Sequence, residues 1–189
     1  MKKAVMYGAG NIGRGFIAQL FYESGYATSF IDVNMTVINK LNEDHAYPVY
    51  ITKNGVYEEH PVRNVSGVDG RDVRAIAEAI ADADIMATAV GVNILKFIHA
   101  NVAEGVKLRR ARGIEAPLNI IICENMIGAD RYFADLVKGN LEEEDQVYFD
   151  SHVALVEPSI GRMVPATPAE IAEKNIVIML GSCDDYDVL

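Results

Sequence analysis

A glycine-rich turn near the start of the chain constrains its fold more than any other feature. The sequence Gly-Ala-Gly-Asn-Ile-Gly-Arg-Gly occupies 8–15 and directly follows the short apolar run 4–7. Because a helical pattern begins within this octet, the turn is predicted to join a buried strand to a helix. Gly8 permits a tight turn, Gly10 lets the backbone approach phosphates without a Cβ, and Gly13 allows close packing of the helix on the strand.

The second predicted strand, 28–31, ends at a carboxylate, Asp32. A carboxylate at this place accepts hydrogen bonds from the adenosine ribose and repels the phosphate that NADP carries there. We therefore expect 8–13 to hold a pyrophosphate at a helix N-terminus, Asp32 to bind the ribose, and NAD(H) to be favoured over NADP(H). FAD and nucleotide-sugar enzymes share this fingerprint. The alternative is a purely structural turn, with Asp32 capping the helix that starts near Met35.

The remaining pattern alternates helices and strands, which predicts an α/β, Rossmann-like, doubly wound and mostly parallel sheet. The predicted helices are 35–41, 73–80, 93–112 and 129–137. The predicted strands are 85–88, 118–123, 147–149, 153–156 and 176–180. A small antiparallel excursion is expected near 47–66, where two extended stretches flank the turn signal Asn54-Gly55. The acidic run 142–145 is expected to be a solvated loop.

Composition and charge limit the kinds of protein and of binding partner that are expected. Half of the 189 residues are apolar, so one domain spanning 1–189 is expected. A net charge of −10 and a pI near 4.8 disfavour nonspecific binding to nucleic acid or an anionic membrane surface. No apolar run approaches the ~18 residues of a membrane span, and no signal-peptide core follows Lys2 and Lys3, so a cytoplasmic protein is expected. The scattered histidines, Cys123 and Cys183 lack metal-ligand spacing, which predicts reduced cysteines and no metal.

Two polar features lie on the predicted elements. A basic cluster, Lys107, Arg109, Arg110 and Arg112, ends the helix that begins near 93. We interpret it as a solvated helix C-terminus in preference to a phosphate site. Asn125 follows the apolar strand 118–123, and side chains at that end of a parallel strand face the ligand crevice. Asn125 is therefore a candidate site residue, with a structural role at the strand end as the alternative.

The ordered set of motifs resembles the polyol-specific long-chain dehydrogenases, in particular their mannitol 1-phosphate branch. The segments that carry the resemblance are 8–15, 32–34, 88–91, 117–121, 123–126 and 162–165, so it covers essentially the whole chain. It implies interconversion of mannitol 1-phosphate and fructose 6-phosphate with NAD(H), with Asn125 beside the substrate carbonyl. It also implies that the cofactor contacts include Ala9, Asn11, Ile12, Asn34, Ala89, Val90 and Gly91 together with the residues above.

The chain departs from this family in two places. The family's Lys-x4-Asn-x2-His set, in a C-terminal helical domain, has no match: Lys96 and Asn101 have the first spacing, but Glu104 occupies the histidine position. We therefore nominate no catalytic lysine, and the catalytic domain is expected to be absent. Gly161 stands where the family commonly has aspartate, while Arg162 beside it remains a candidate anion contact.

These departures leave two hypotheses open. The first is the cofactor part of a polyol-phosphate dehydrogenase, inactive alone, whose partner is the small-molecule substrate. The second is a stand-alone NAD(H)-binding module for redox sensing or assembly. Without a covering domain the exposed apolar face is expected to favour self-association.

Overall fold

Six parallel strands form the main sheet of the protein, whose computed structural model describes residues 1–53, 56–161, 164 and 179–182. The strands are β1 (Lys2–Tyr7), β2 (Tyr26–Asp32), β5 (Val65–Asp69), β6 (Ile85–Thr88), β7 (Leu118–Ile122) and β8 (Val153–Val156). They lie in the order β5-β2-β1-β6-β7-β8, and every neighbouring pair is parallel. The chain thus winds outward from β1 in both directions, which confirms the Rossmann-like prediction.

Helices cover both faces of this sheet and bury two apolar layers. The helices are α1 (Ala18–Glu23), α2 (Met35–Asp44), α3 (Val73–Ala81), α4 (Val92–Ala111), α5 (Ala129–Lys138) and α6 (Glu143–His152). A π-helical turn, Gly13–Ile17, leads into α1. One layer joins residues of α1 and α2 to Met6 and Phe30, and the other joins residues of α3 to α6 to Val5 and Ile31. Alternate strand residues therefore face opposite layers, as expected for a sheet covered on both sides.

The predicted antiparallel pair of strands is present, but its second strand ends at Arg63, earlier than predicted. Strands β3 (Ala46–Lys53) and β4 (Val56–Arg63) pair antiparallel, and the turn signal between them lies outside the described residues. Val65 belongs instead to β5, because its strand pairs in parallel with β2 in the main sheet. A further strand, β9 (Met179–Ser182), pairs in parallel with β3, so only the end of the predicted strand 176–180 is within the described residues.

The acidic run 142–145 was wrongly predicted to be a loop, and 147–149 was wrongly predicted to be a strand. Residues 143–145 and 147–149 belong to α6, which carries Glu143, Glu144 and Asp145 in its first turn and begins directly after Glu142. Carboxylates at that position interact favourably with the positive end of the helix dipole. The adjacent residues Tyr148 and Phe149 are both buried, whereas Val147 is 66% exposed. Adjacent side chains of a strand alternate between its two faces, so this burial pattern fits a helix better than a half-buried strand.

The basic cluster lies at the end of α4, as predicted, but Arg109 is not solvated. It is 1% exposed and donates hydrogen bonds to the carbonyl oxygens of Ala81, Ala83 and Ala116 at 2.9, 2.8 and 2.6 Å. The other three residues form ion pairs: Lys107 with Glu104, Arg110 with Glu144 and Asp145, and Arg112 with Glu78 and Asp82. These contacts tie α4 to its neighbours and account for the cluster without a phosphate.

Replacing Asp145 with asparagine should lower the free energy of unfolding by about 1–2 kcal/mol, because Asp145 is buried and accepts from Arg110 Nε at 2.6 Å. Glu144 accepts from the same guanidinium but is 80% exposed, so Glu144→Gln should change stability by less than about 0.5 kcal/mol. Urea unfolding of both variants measures the difference. Equal losses would contradict the helical placement of 143–145.

No helix among the described residues has both the length and the apolar character that a membrane crossing requires.

Candidate functional site

The glycine turn lies at the carboxyl end of β1, packed against the end of β6. Gly8 has φ +103°, and its N–H donates to the Ile31 carbonyl at 2.9 Å. A Cβ on Gly8 would lie 2.5 Å from the Ala89 oxygen, and one on Gly13 would lie 2.1 Å from the Gly8 oxygen. The turn therefore requires glycine at both positions, for the backbone conformation at Gly8 and for close packing at each.

The middle of the turn faces open space. Gly10 and Asn11 are exposed, Ile12 is half-buried, and a Cβ built on Gly10 would have no neighbour within 4 Å. The fold itself does not need a glycine there, whereas a pyrophosphate lying over the turn would. The first helix begins at Asn11, directly after Gly10. The dipole at its amino end favours an anion beside the turn. The residues present thus fit the diphosphate of a dinucleotide.

Asp32 lies directly against this turn. Its Oδ2 accepts from the Ala9 N–H at 2.7 Å, and its Oδ1 accepts from the Asn34 N–H at 2.8 Å. The capping of α2 belongs to Asn34, whose side chain accepts from the Val37 N–H at 3.4 Å. The alternative role considered for Asp32, a helix cap, is therefore performed by another residue. The carboxylate remains at the edge of the site, half-buried beside the turn.

The segment 89–91 follows β6 and completes the same edge of the sheet. The Ala89 N–H donates to the Tyr7 carbonyl at 2.8 Å, and Ala89 and Val90 contact the position that a Gly8 side chain would occupy. Gly91 has φ +89° and precedes α4. The structure thus brings the glycine turn, Asp32 and 89–91 together, as the motif order predicted.

Glu124 is a site residue that sequence reasoning did not select. It is 7% exposed, and it accepts a hydrogen bond from the Thr88 hydroxyl at 2.6 Å and from the Val90 N–H at 2.9 Å. These bonds join the end of β7 to the turn after β6. Asn125 was selected from the sequence because it follows the carboxyl end of an apolar strand. Glu124 follows the same strand, so the same criterion could have selected it.

A cleft of about 590 Å³ opens beside these turns, at the carboxyl ends of β7 and β8. Asn125 is exposed and lines it, as does Ile12 from the first helical segment. Ile127 at its rim is 97% exposed. The cleft therefore adjoins the glycine turn, and Asn125 contributes a polar side chain to its lining.

Cys123 also lines the cleft but is not poised for nucleophilic chemistry. Burial, assisted by the nearby Glu124 charge, raises the pKa of its thiol to about 12. The thiol is therefore protonated near neutral pH, and a protonated thiol is a poor nucleophile.

Arg14 supports the glycine turn from inside the protein. Its Nε donates to the Ala9 carbonyl at 2.5 Å, and its own carbonyl accepts from the buried Tyr47 hydroxyl at 2.7 Å. Burial lowers the pKa of the Arg14 guanidinium from its ordinary value, while Tyr47 and Asp32 oppose that shift. The turn is thus held by a buried cation that the glycine pattern alone did not indicate.

None of the other residues considered in the sequence is among the described residues that line the cleft. Lys96 and Glu104 are exposed on α4, and the Asn101 amide donates to the Tyr7 hydroxyl at 2.9 Å. Gly161 is exposed, and Arg162 lies outside the described residues. No group of three or more His, Cys, Asp or Glu side chains in the described part of the chain is arranged to hold a metal ion.

Comparison with known structures shows the same fold. The chain is similar to Pseudomonas fluorescens mannitol 2-dehydrogenase in ternary complex with NAD and D-mannitol, with a TM-score of 0.77 and 11% identity over 97% of this chain and 47% of that one. It is also similar to yersinopine dehydrogenase with NADP+ bound, with a TM-score of 0.64 and 10% identity over 96% and 39% of the two chains.

Sequence comparison gives nearer relatives. The mannitol-1-phosphate 5-dehydrogenase of Streptococcus mutans is 40% identical over 168 residues, which are 88% of this chain and 44% of that protein. The same-named protein of Lactococcus lactis is 40% identical over 167 residues, covering 88% and 43%. The chain thus spans less than half the length of these curated relatives. Residues 2–186 match the family described as the mannitol dehydrogenase Rossmann domain, and the chain belongs to that family.

Proposed function

We propose that this chain binds NAD(H) across the carboxyl edge of its sheet. The adenosine ribose lies at Asp32, the pyrophosphate over Gly10, and the nicotinamide ribose against 89–91. The observation that carries this proposal is the Asp32 carboxylate held 2.7 Å from the Ala9 N–H, because it places a ribose acceptor beside the open face of the turn. The same negative charge disfavours the additional phosphate of NADP(H).

We further propose that the chain is the cofactor part of a polyol-phosphate dehydrogenase, with mannitol 1-phosphate and fructose 6-phosphate as the substrate pair. The names of the 40%-identical relatives support this choice. NAD, when bound, supplies the hydride acceptor. Asn125 lines the cleft, and its amide N–H stabilises negative charge developing on the substrate oxygen. The Glu124 hydrogen bonds hold the 88–91 turn beside that amide.

Calorimetric titration of the 189-residue chain with NADH and with NADPH tests the binding proposal. Saturable binding with at least about tenfold preference for NADH is expected, because one unfavourable charge contact of this kind is worth about 1.4 kcal/mol or more. Failure of the folded chain to bind either nucleotide would contradict it.

Turnover separates the two candidate functions. The chain alone is expected to bind NAD(H) without oxidising mannitol 1-phosphate, since the Lys-x4-Asn-x2-His set is not in its sequence. The reaction proposal predicts NADH production when the chain is fused to the downstream half of the Streptococcus mutans relative. Gly161, which replaces the family aspartate, favours the second candidate, a non-catalytic NAD(H)-binding module. An NADH-binding fusion that is inactive on polyol phosphates and free polyols would support that module.

A further inference from the structure

Glu124 is a buried carboxylate whose observed hydrogen-bond donors are both neutral. Its two oxygens accept from the Thr88 hydroxyl and the Val90 N–H, and the side chain is only slightly exposed. Within 1–53 and 56–161, no lysine, arginine or histidine forms an ion pair with it. A buried charge held by neutral dipoles alone is unfavourable, and a cation brought close to it would be bound favourably.

The cleft beside Glu124 has an acidic lining. Glu124 and the exposed Glu157 both line it, and its described lining contains no lysine or arginine. Such a lining attracts a cationic group. The cation in the proposed reaction is the oxidised nicotinamide ring.

In the proposed binding mode, the nicotinamide end of the dinucleotide would lie toward this cleft. The adenosine ribose would lie at Asp32, on the β2 side of β1, and the pyrophosphate would lie at the glycine turn that follows β1. The other half of the molecule must therefore cross the reversal of strand order toward β6 and β7. Glu124 follows β7 and bonds to the turn after β6, so it lies on the nicotinamide side.

We propose that the Glu124 carboxylate makes this site prefer the oxidised, positively charged nicotinamide ring over the neutral reduced ring. The ring carries a positive charge in NAD+ and none in NADH, so the attraction exists for one redox form only. The carboxylate thus strengthens binding of NAD+ before polyol oxidation and leaves NADH easier to release. This inference rests on the proposed NAD(H) binding and adds a residue that sets the redox preference.

The test is the Glu124→Gln variant, titrated calorimetrically with NAD+ and NADH beside the wild-type chain. Glutamine keeps the size of the side chain and an oxygen that accepts from Val90, but it removes the charge. NAD+ affinity is expected to fall on the order of tenfold, whereas NADH affinity should change less than about twofold. A structural role alone would weaken both nucleotides equally, and that outcome would overturn the proposal.

Glu157→Gln provides the matched control, since Glu157 lines the same cleft but is exposed to solvent. Solvent and salt screen its charge, so its NAD+ to NADH affinity ratio should change less than about threefold. If Glu124→Gln does not fold, the wild-type chain still decides the matter: tighter binding of NAD+ than of NADH supports the proposal, and the reverse order overturns it. A folded wild-type chain that binds neither nucleotide contradicts the proposed function itself.

Discussion

Replacing Gly13 with alanine is expected to lower the free energy of unfolding by more than about 3 kcal/mol. The new Cβ would lie 2.1 Å from the Gly8 oxygen, and the backbone there is fixed by two hydrogen bonds, from the Gly8 N–H to the Ile31 carbonyl and from the Ala89 N–H to the Tyr7 carbonyl. A side chain could avoid the new methyl group by changing its rotamer, but a backbone oxygen cannot. The first helix must therefore separate from β1. Urea or thermal unfolding of the purified variant measures the loss.

Gly10→Ala is the matched control for Gly13→Ala, because both changes add one methyl group to the same turn. The Gly10 Cβ position has no neighbour within 4 Å, and Gly10 does not have a positive φ. Stability should therefore change by less than about 1 kcal/mol. NADH affinity should fall more than about tenfold, since the methyl group occupies the space of the pyrophosphate. Wild-type affinity in this variant would show that the phosphates bind elsewhere.

The arrangement of the sheet was predictable because its signals are local and agree with one another. Apolar strands, the glycine turn and the helical spacings each fix one element, and the parallel winding then follows from their alternation. The structure places Asp32 against the glycine turn, because both follow neighbouring strands of one sheet. Contact of Asp32 or of the glycine turn with a cofactor stays a prediction.

The errors arose where a short pattern fits two structures. The apolar run 147–149 is compatible with a strand and with one side of a helix, and only packing of Tyr148 and Phe149 decides between them. On α4, Ile94, Ile98, Val102 and Val106 recur at every fourth position and suggest one apolar face, but Ile94 is 47% exposed and Leu95 is buried instead. A helix repeats every 3.6 residues, so a strict spacing of four drifts around its surface.

Long-range polar contacts were not predictable from spacing at all. Arg109 donates to carbonyls 26 and 28 residues away in sequence, and Glu124 bonds to Thr88 and Val90 at the end of the neighbouring strand. Each looked like an ordinary charged residue at the end of an element. Only the folded chain shows that both are buried and that each bridges neighbouring segments.

Replacing Asp32 with alanine should weaken NADH binding on the order of 100-fold. The change removes the carboxylate that would accept from the ribose, and two charged hydrogen bonds contribute about 3 kcal/mol or more together. It also removes the acceptor for the Ala9 N–H, which loosens the turn beneath the pyrophosphate. NADPH should lose less affinity than NADH, because repulsion of its phosphate disappears at the same time. Titration with both nucleotides measures the two effects.

Asp69→Ala is the matched control for Asp32→Ala, since Asp69 pairs with Asp32 in register on the next strand and is likewise half-buried. Its carboxylate accepts from the Arg71 N–H at 3.0 Å and has no described bond to the glycine turn. Loss of a carboxylate at this end of the sheet alters the local potential in both variants, but of the two residues only Asp32 is proposed to contact the ribose. NADH affinity should therefore stay within about threefold of wild type in Asp69→Ala. Equal losses in the two variants would show that Asp32 acts through the general field of the edge and not as the ribose ligand.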